Sequence, residues 1–243
     1  MKSLCFIPVY NQVREFPKVL DELASCDFPC DVLLVNNGSS DGSEDLVHQS
    51  GYTYIDLPEN KGIGHSFMVA MDWALEHQYE IFSVIASNAK MLPSEMQRVL
   101  QPILDDEADY VTGSRFLKGG DSPNLPGFRK NAIPMVNIFV RLLTGAHITD
   151  ATCGYKAYRT SLFRQANFDW HAPWLNTYGF EYYVYGKVVR DASIRWAEVP
   201  ITMRYPPKGQ SYTKMKAFKS WYEMLKPWVI ARFDRQGFNP KGT

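Results

Sequence analysis

The sequence predicts an α/β protein in which helices flank a mostly parallel β-sheet. In the first half of the chain, short apolar runs alternate with segments that carry apolar residues at helical spacing. Alternation of this kind is typical of parallel sheets with crossover helices. The run at 31–35 is a continuous apolar segment, as expected for a strand covered on both faces. Polar loops follow the predicted strands, at the edge of the sheet where ligands bind in this fold class.

The elements of the first half can be placed in order. Strands are predicted at 3–9, 31–35, 52–57, 80–85 and 110–112. Helices are predicted at 14–25, 44–49, 63–77 and 94–104. The first helix is predicted from the spacing of Phe16, Val19 and Leu23, which places these residues on one helical face. Ser43 or Asp41 is the expected cap of the second helix.

The second half of the chain is less regular. A long loop rich in glycine, proline and aspartate is predicted at 113–127, and a helix at 129–144. Runs at 155–163 and 194–205 are typical of strands. The segment 214–233 is rich in aromatic and basic residues and is predicted to form an amphipathic helix. We therefore predict one domain over 1–212, followed by an amphipathic helix and tail over 213–243.

Composition excludes several classes of protein. Of the 243 residues, 45% are hydrophobic, which excludes wholesale disorder. The 26 basic and 26 acidic side chains balance, which argues against a general nucleic-acid binder. The chain has no run of about 20 apolar residues, so no transmembrane helix is predicted, and its start is typical of a buried strand. The four cysteines lack zinc-ligand spacing, so we expect reduced thiols and a cytoplasmic protein.

Several motifs occur along residues 3–215 in a fixed order. They are Pro8-Val9-Tyr10-Asn11, 35–42, Asn60-Lys61-Gly62, Gly113-Ser114-Arg115, Arg129, 150–156 and 198–201. The first three resemble the inverting family 2 glycosyltransferases, which have the GT-A fold. The later ones resemble dolichol-phosphate mannosyltransferases and bacterial polyprenyl-phosphate sugar transferases. The resemblance implies transfer of a sugar from a nucleotide diphosphate donor to a polyprenyl phosphate, at the cytoplasmic face of a membrane.

The resemblance implies that the loops after the first strands hold the donor nucleotide. The residues implied in this role are Pro8, Tyr10, Asn11, Asn36, Asn37, Ser39, Asp41, Gly62 and Asn88. Asn36 and Asn37 stand where the family usually has aspartates, and an amide can both donate to and accept from a base. The identity of the base therefore stays open. Ordinary strand-terminating and turn roles are alternatives for Pro8, Asn11 and Asp41.

The largest departure from the family pattern lies at 87–93. The family carries Asp-x-Asp there, and its carboxylates bring in Mg²⁺ or Mn²⁺. This chain has Asn88 and Lys90 instead, and an amide and an ammonium cannot replace two carboxylates as ligands of a hard cation. We expect no cofactor and no metal ligands, with the Lys90 charge stabilising the departing diphosphate. A surface lysine in a degenerate site is the alternative, and a divalent ion stays possible.

Arginines at two positions are implied to hold phosphates. By resemblance, Arg115 and Arg129 contact the donor diphosphate and the acceptor phosphate, a task that suits the planar guanidinium. A further arginine of the family is replaced by Pro206, so Arg204 or Lys208 is expected to substitute. Solvated surface arginines are the alternative.

Two acidic residues are candidates for a general base. A hydroxyl acceptor would require one, and Asp150 or Glu181 would serve, whereas a lipid phosphate is already anionic and requires none. Asp150 could instead anchor a loop. The alternative for Glu181 is a helix residue paired with Lys187 or Arg190.

The segment 214–233 suits a membrane interface because it combines basic and aromatic side chains. A terminal helix packed on the domain is the alternative. Two other functions also remain open. One is transfer to a saccharide or another hydroxyl acceptor; the other is a non-catalytic protein that binds a nucleotide sugar, which the missing aspartates suggest.

Overall fold

The computed structural model describes residues 1–207 and 217–238. Over this range the chain forms one seven-stranded sheet with helices around it, which confirms the predicted α/β class. The strands are β1 (Ser3–Val9), β2 (Asp31–Asn37), β3 (Thr53–Leu57), β4 (Ile81–Val84), β5 (Tyr110–Ser114), β6 (Lys156–Arg159) and β7 (Trp196–Pro200). The α-helices are α1 (Phe16–Ala24), α2 (Ser43–Gln49), α3 (Ile63–Glu76), α4 (Met96–Leu104), α5 (Gly127–Thr144), α6 (Ser161–Arg164), α7 (Gly179–Val188) and α8 (Ala217–Phe233).

The sheet is mostly parallel, with the strand order β3-β2-β1-β4-β6-β5-β7. β1 pairs in parallel with both β2 and β4, and β5 pairs in parallel with β7. β6 runs antiparallel to both of its neighbours, β4 and β5. The carboxyl ends of β1, β2 and β4 therefore meet at one edge, and the loops that follow them converge there.

The core lies on both faces of the sheet. β1 is buried along its whole length, and its side chains alternate between two apolar clusters. Leu4 and Phe6 pack into the cluster that includes α3, α7 and α8, whereas Cys5 and Ile7 pack into the cluster that includes α1 and α4. This two-residue alternation, with helices on both sides, explains why the strand is apolar throughout.

Two predicted strands of the second half are shorter in the structure. The predicted strand at 155–163 contains β6 and then turns into α6, and the one at 194–205 contains only β7. The sequence pattern did not delimit α7, because this helix is buried around most of its circumference, including Phe180, Tyr183 and Val184. A helix without a polar face has no amphipathic signal in its sequence.

α8 packs on the domain through one face. Met224, Trp228 and Ala231 are buried in the same cluster as α7, so this face of the predicted amphipathic helix contacts the core. The predicted boundary at residue 212, and residues 214–216 of the predicted helix, lie outside the described residues. Within the described ranges, no helix combines the length and the apolar character needed to cross a bilayer.

Gly64 is a sensitive position at the start of α3. A Cβ there would lie 1.9 Å from the carbonyl oxygen of Leu175 and 2.5 Å from that of Thr177. Because backbone atoms cannot rotate away, we expect Gly64→Ala to lower the free energy of unfolding by about 1–3 kcal/mol. Gly127→Ala is the matched control, since its Cβ would meet nothing within 4 Å. Urea denaturation measures both, and equal midpoints would contradict the packing described.

Candidate active site

A cleft of about 450 Å³ opens at the carboxyl edge of the sheet. The loops after β1, β3 and β4 and the end of β2 line it, together with the first turns of α5 and α7 and a residue of α8. The predicted site residues among its lining are Pro8, Tyr10, Asn37, Gly62, Asn88, Lys90, Arg115, Arg129 and Glu181. The fold thus brings predicted site residues from loops that are far apart in the chain into one cleft.

Three other predicted residues join two loops to each other. The amide oxygen of Asn11 accepts a hydrogen bond from the Ser40 backbone at 2.8 Å, and the Asn11 backbone donates to the Ser39 hydroxyl at 3.1 Å. Asp41 accepts from the Val13 backbone at 3.2 Å. Asn11, Ser39 and Asp41 therefore fix the loop after β1 against the loop after β2 and are not among the cleft's lining residues.

The two asparagines that replace family aspartates differ in their surroundings. Asn36 is buried, and its amide nitrogen donates to an Asp56 carboxylate oxygen at 2.9 Å. An aspartate at position 36 would put two carboxylates in contact, so the amide suits this neighbour. Asn37 lines the cleft and donates to the Asn60 side chain at 3.1 Å. Of the two, only Asn37 lies where a ligand would contact it.

Three basic side chains converge on one aromatic ring in the cleft wall. The Lys90 Nζ lies 5.6 Å from the centre of the Tyr205 ring, and the Arg129 guanidinium carbon lies 5.7 Å from it. Arg115 donates a hydrogen bond from Nη1 to the Tyr205 hydroxyl. The negative charge on the ring faces attracts cations that lie close to the ring. We call Lys90, Arg115, Arg129 and Tyr205 the cationic wall.

The cationic wall suits anions. Burial lowers the pKa of Lys90, and the nearby charges of Arg129 and Arg115 lower it further, to about 8. A bound phosphate would oppose this repulsion, because an opposite charge stabilises the ammonium form.

These donors do not fit a divalent cation. Lys90 carries a positive charge where the family has a carboxylate, and the Asn88 amide is a weak substitute for one. Among the described residues, the group whose ligand atoms lie close enough to share an ion is Glu44, His48 and Asp56, which is exposed and outside the cleft.

Arg115 and Asp150 form a buried ion pair beneath the wall. Asp150 is fully buried, and its Oδ2 accepts from the Arg115 Nε at 2.6 Å. The other carboxylate oxygen also contacts the guanidinium, which donates further to the Thr152 hydroxyl at 2.6 Å. Burial alone would lower the pKa of Arg115, but the adjacent Asp150 carboxylate raises it, so the guanidinium stays charged.

This geometry corrects the interpretation of Asp150 as a catalytic base. Both of its carboxylate oxygens contact Arg115, and it does not line the cleft. Glu198 of β7 holds the loop in place by accepting hydrogen bonds from the backbones of Thr149, at 2.8 Å, and Asp150, at 3.0 Å. Of the two roles considered from the sequence, these contacts favour the anchoring one for Asp150.

Glu181 lies in the cleft and pairs with a lysine that the sequence did not indicate. Its Oε1 accepts from the buried Lys156 Nζ at 3.2 Å, and Lys156 also donates to the Cys153 carbonyl at 2.6 Å. The structure does not show the alternative pairing with Lys187 or Arg190. Lys187 pairs instead with Asp234 at 2.8 Å, because α7 turns Lys187 away from the cleft and toward the end of α8.

Arg204 does not reach the cleft. Its two terminal nitrogens donate to the Glu22 carboxylate at 2.8 and 2.7 Å, and one also donates to the Ala89 carbonyl. The Arg204 backbone donates to the Lys90 carbonyl at 2.8 Å. Glu22 thus neutralises the guanidinium that the sequence assigned to the acceptor phosphate, and Arg204 supports the Lys90 loop instead. Lys208, the other substitute, lies outside the described residues.

Four residues of this site were not predicted as site residues from the sequence. They are Tyr205, Thr152, Lys156 and Glu198. Thr152, Lys156 and Glu198 belong to motifs that had been noted, so their positions carried a signal. Tyr205 follows no recognisable spacing, and only the folded chain brings its ring close to both Lys90 and Arg129.

The fold and the cleft together define an α/β protein whose ligand site lies at the carboxyl ends of parallel strands. Comparison with known families narrows this class. The model of the family described as Glycosyl transferase family 2 matches residues 5–166. The chain therefore belongs to this family and is a glycosyltransferase.

Individual relatives support this placement. An undecaprenyl-phosphate mannosyltransferase of Micrococcus luteus is 29% identical over 216 residues, which cover 87% of each chain. A polyprenol monophosphomannose synthase of Mycolicibacterium smegmatis is 26% identical over 96% of this chain and 89% of its own. The crystal structure of glucosyl-3-phosphoglycerate synthase from Mycobacterium tuberculosis with UDP superposes with a TM-score of 0.69 at 16% identity, over 99% of this chain and 82% of the other. This likeness shows the GT-A fold.

Proposed function

We propose that this glycosyltransferase moves one sugar from a nucleotide diphosphate donor to a polyprenyl phosphate, with inversion and without a divalent ion. The observation that carries the proposal is the cationic wall, in which Lys90 and Arg129 both lie near the Tyr205 ring. Lys90 stands where the family has a metal-binding carboxylate. The names of the relatives from Micrococcus luteus and Mycolicibacterium smegmatis support the lipid-phosphate acceptor.

The basic side chains that line the cleft suit phosphate ligands. The Arg115 charge is neutralised by Asp150, and the Lys156 charge is opposed by Glu181. Lys90 and Arg129 add positive charge to the wall from two separate elements. Lys90 follows β4, beside the loops assigned to the nucleotide, so we assign it to the donor diphosphate. Arg129 lies in the first turn of α5, 5.7 Å from the centre of the Tyr205 ring, and we assign it to the acceptor phosphate.

The chemistry follows from these assignments. An oxygen of the acceptor phosphate, already anionic, attacks the anomeric carbon from the side opposite the diphosphate. The new carbon–oxygen bond forms as the bond to the donor phosphate breaks, and the electron pair leaves on the nucleoside diphosphate. The Lys90 ammonium stabilises the charge that develops there, as a fixed cation does in a partly buried site. Attack from the opposite side inverts the anomeric configuration.

Glu181 serves this reaction as a sugar-binding group. Its carboxylate lies in the cleft, where it can accept hydrogen bonds from sugar hydroxyls. One of its carboxylate oxygens already accepts a hydrogen bond from Lys156 at 3.2 Å. This favours an acceptor that needs no base over a saccharide hydroxyl.

A thermal-shift panel tests the donor half of the proposal. The protein is melted with UDP, GDP, CDP or dTDP, each in Mn²⁺, Mg²⁺ or EDTA. We expect one nucleotide to stabilise the fold equally in EDTA, by about 2.7 kcal/mol at 100 times its Kd. Stabilisation only with a divalent ion would contradict the metal-free site, and no stabilisation by any nucleotide would favour the non-catalytic alternative.

The same measurement across pH tests the Lys90 assignment. Lys90 binds the diphosphate as an ammonium, so binding should be strongest below its pKa of about 8 and should weaken as the pH rises above that value. A bound nucleotide should shift the loss to higher pH, because it stabilises the ammonium. Lys90→Arg should bind without this pH dependence, since the guanidinium stays charged. An identical profile in both proteins would refute the assignment.

A further inference from the structure

The outward face of α5 exposes four large apolar side chains. Phe128, Met135, Ile138 and Leu142 are 62%, 71%, 57% and 82% exposed. They are seven, three and four residues apart, so they form one stripe along the helix. The opposite face of α5 packs Ile133, Val136 and Val140 into the core. The exposed residues therefore follow the helical repeat and form one continuous stripe on α5.

The neighbouring helix α8 has a similar outward face. Tyr222, Val229 and Phe233 are exposed on it, seven and four residues apart. α8 and α5 contact each other, so the two apolar stripes belong to adjacent helices. We call the exposed residues of the two stripes the apolar face. Contiguous apolar surface of this kind marks a site of interaction with a protein or a membrane.

The apolar face begins at the rim of the cleft. Phe128 directly precedes Arg129, and Tyr222 directly precedes Glu223, and both Arg129 and Glu223 line the cleft. A partner on this face would thus lie beside the proposed acceptor side of the site. This continuity favours a partner that contains the acceptor itself.

The charged residues beside the apolar face further restrict the kind of partner it can bind. α5 contains Arg129, Lys130 and Arg141 and no acidic residue. On α8, Lys226 and Arg232 are exposed beside the apolar stripe. A symmetric second copy would bring these like charges toward each other, which is unfavourable. Anionic lipid headgroups attract them.

We propose that the outward faces of α5 and α8 form a docking surface for an anionic lipid bilayer. The apolar stripes lie among the upper acyl chains, and the basic side chains reach the headgroups. A polyprenyl phosphate in that bilayer would present its phosphate at the Arg129 side of the cleft. This location rests on the proposed function, whereas binding of the bilayer is measured without any substrate.

Vesicle flotation tests the surface directly. The full chain is mixed with vesicles of phosphatidylcholine alone, or of equal parts phosphatidylcholine and phosphatidylglycerol. We expect the protein to float with the anionic vesicles and to dissociate as salt screens the basic residues. In the triple variant Met135→Gln, Ile138→Gln and Leu142→Gln, the partition coefficient should fall by about tenfold or more, because bilayer affinity scales with buried apolar area. The altered residues are exposed, so the melting temperature should stay unchanged.

Controls separate this surface from the active site. Tyr54→Gln removes an exposed aromatic side chain from β3, the strand at the far edge of the sheet, and should float like the unaltered chain. The triple variant should still transfer sugar to a short-chain, water-soluble polyprenyl phosphate. No flotation of the unaltered chain, or equal flotation of the triple variant, would overturn the proposal. A lipid-free dimer that the triple variant dissociates would also overturn it, in favour of a second copy. Failure of transfer by the unaltered chain would count against the proposed function alone.

Discussion

Replacing Lys90 with alanine should reduce sugar transfer by about 10²–10³-fold in kcat, the usual effect of removing one fixed group that stabilises developing charge. The fold should not suffer, because Lys90 lies among other positive charges and its removal relieves repulsion from Arg129 and Arg115. The measurement pairs initial rates of transfer with the melting temperature of each variant. Loss of rate at unchanged melting temperature is the expected result.

Two matched variants show whether the charge itself is responsible. Lys90→Arg keeps a cation at the same place and should retain much of the rate, although the larger group will alter its position. Lys18→Ala removes an exposed lysine that contacts Glu22 and should leave the rate unchanged. Full activity of Lys90→Ala would refute the role of Lys90 in leaving-group stabilisation.

Asp150→Asn should give the largest loss of stability. The change leaves the Arg115 guanidinium, whose side chain is only 1% exposed, without its counter-charge. Removing one partner of a buried ion pair costs about 3–5 kcal/mol, because the remaining charge is neither solvated nor paired. Activity should fall as well, since Arg115 then no longer holds the Tyr205 hydroxyl in the cationic wall. Chemical denaturation measures the first effect, and transfer at a temperature where the variant is folded measures the second.

An exposed ion pair supplies the control for Asp150. Asp72 contacts His171 at 3.0 Å, with both side chains about half exposed, so Asp72→Asn should leave stability almost unchanged. If Asp150→Asn were as stable as Asp72→Asn, the buried pair would not be a structural support of the site.

Much of the first half of the fold was predictable because its signals are local. The helix predicted at 63–77 is α3 (Ile63–Glu76), and the strand predicted at 3–9 is β1. Both depend on the spacing of apolar residues within one element. The grouping of Asn37, Asn88 and Lys90 in one cleft followed from a further rule, that loops after parallel strands meet at one edge of the sheet.

Pairings between distant residues were not predictable. Arg115 and Asp150 are 35 residues apart, and Glu181 meets Lys156 only because α7 packs over the antiparallel strand β6. Nothing local in the sequence distinguishes Lys156 as a partner from Lys187, which lies on the same helix as Glu181. Likewise, Arg204 has the composition of a phosphate ligand, but the fold puts Glu22 within 2.8 Å of it. These outcomes depend on tertiary contacts, which residue type and spacing do not encode.

The most direct test of the account is transfer of a radiolabelled sugar to polyprenyl phosphate in the presence of EDTA. The donor carries the nucleotide that stabilises the fold in the thermal-shift panel, and the product is separated into organic and aqueous phases. We expect label in the organic phase, at the same rate in EDTA as in Mn²⁺. Label that enters the organic phase only with Mn²⁺ would contradict the metal-free cationic wall, and label confined to aqueous products would contradict the lipid-phosphate acceptor.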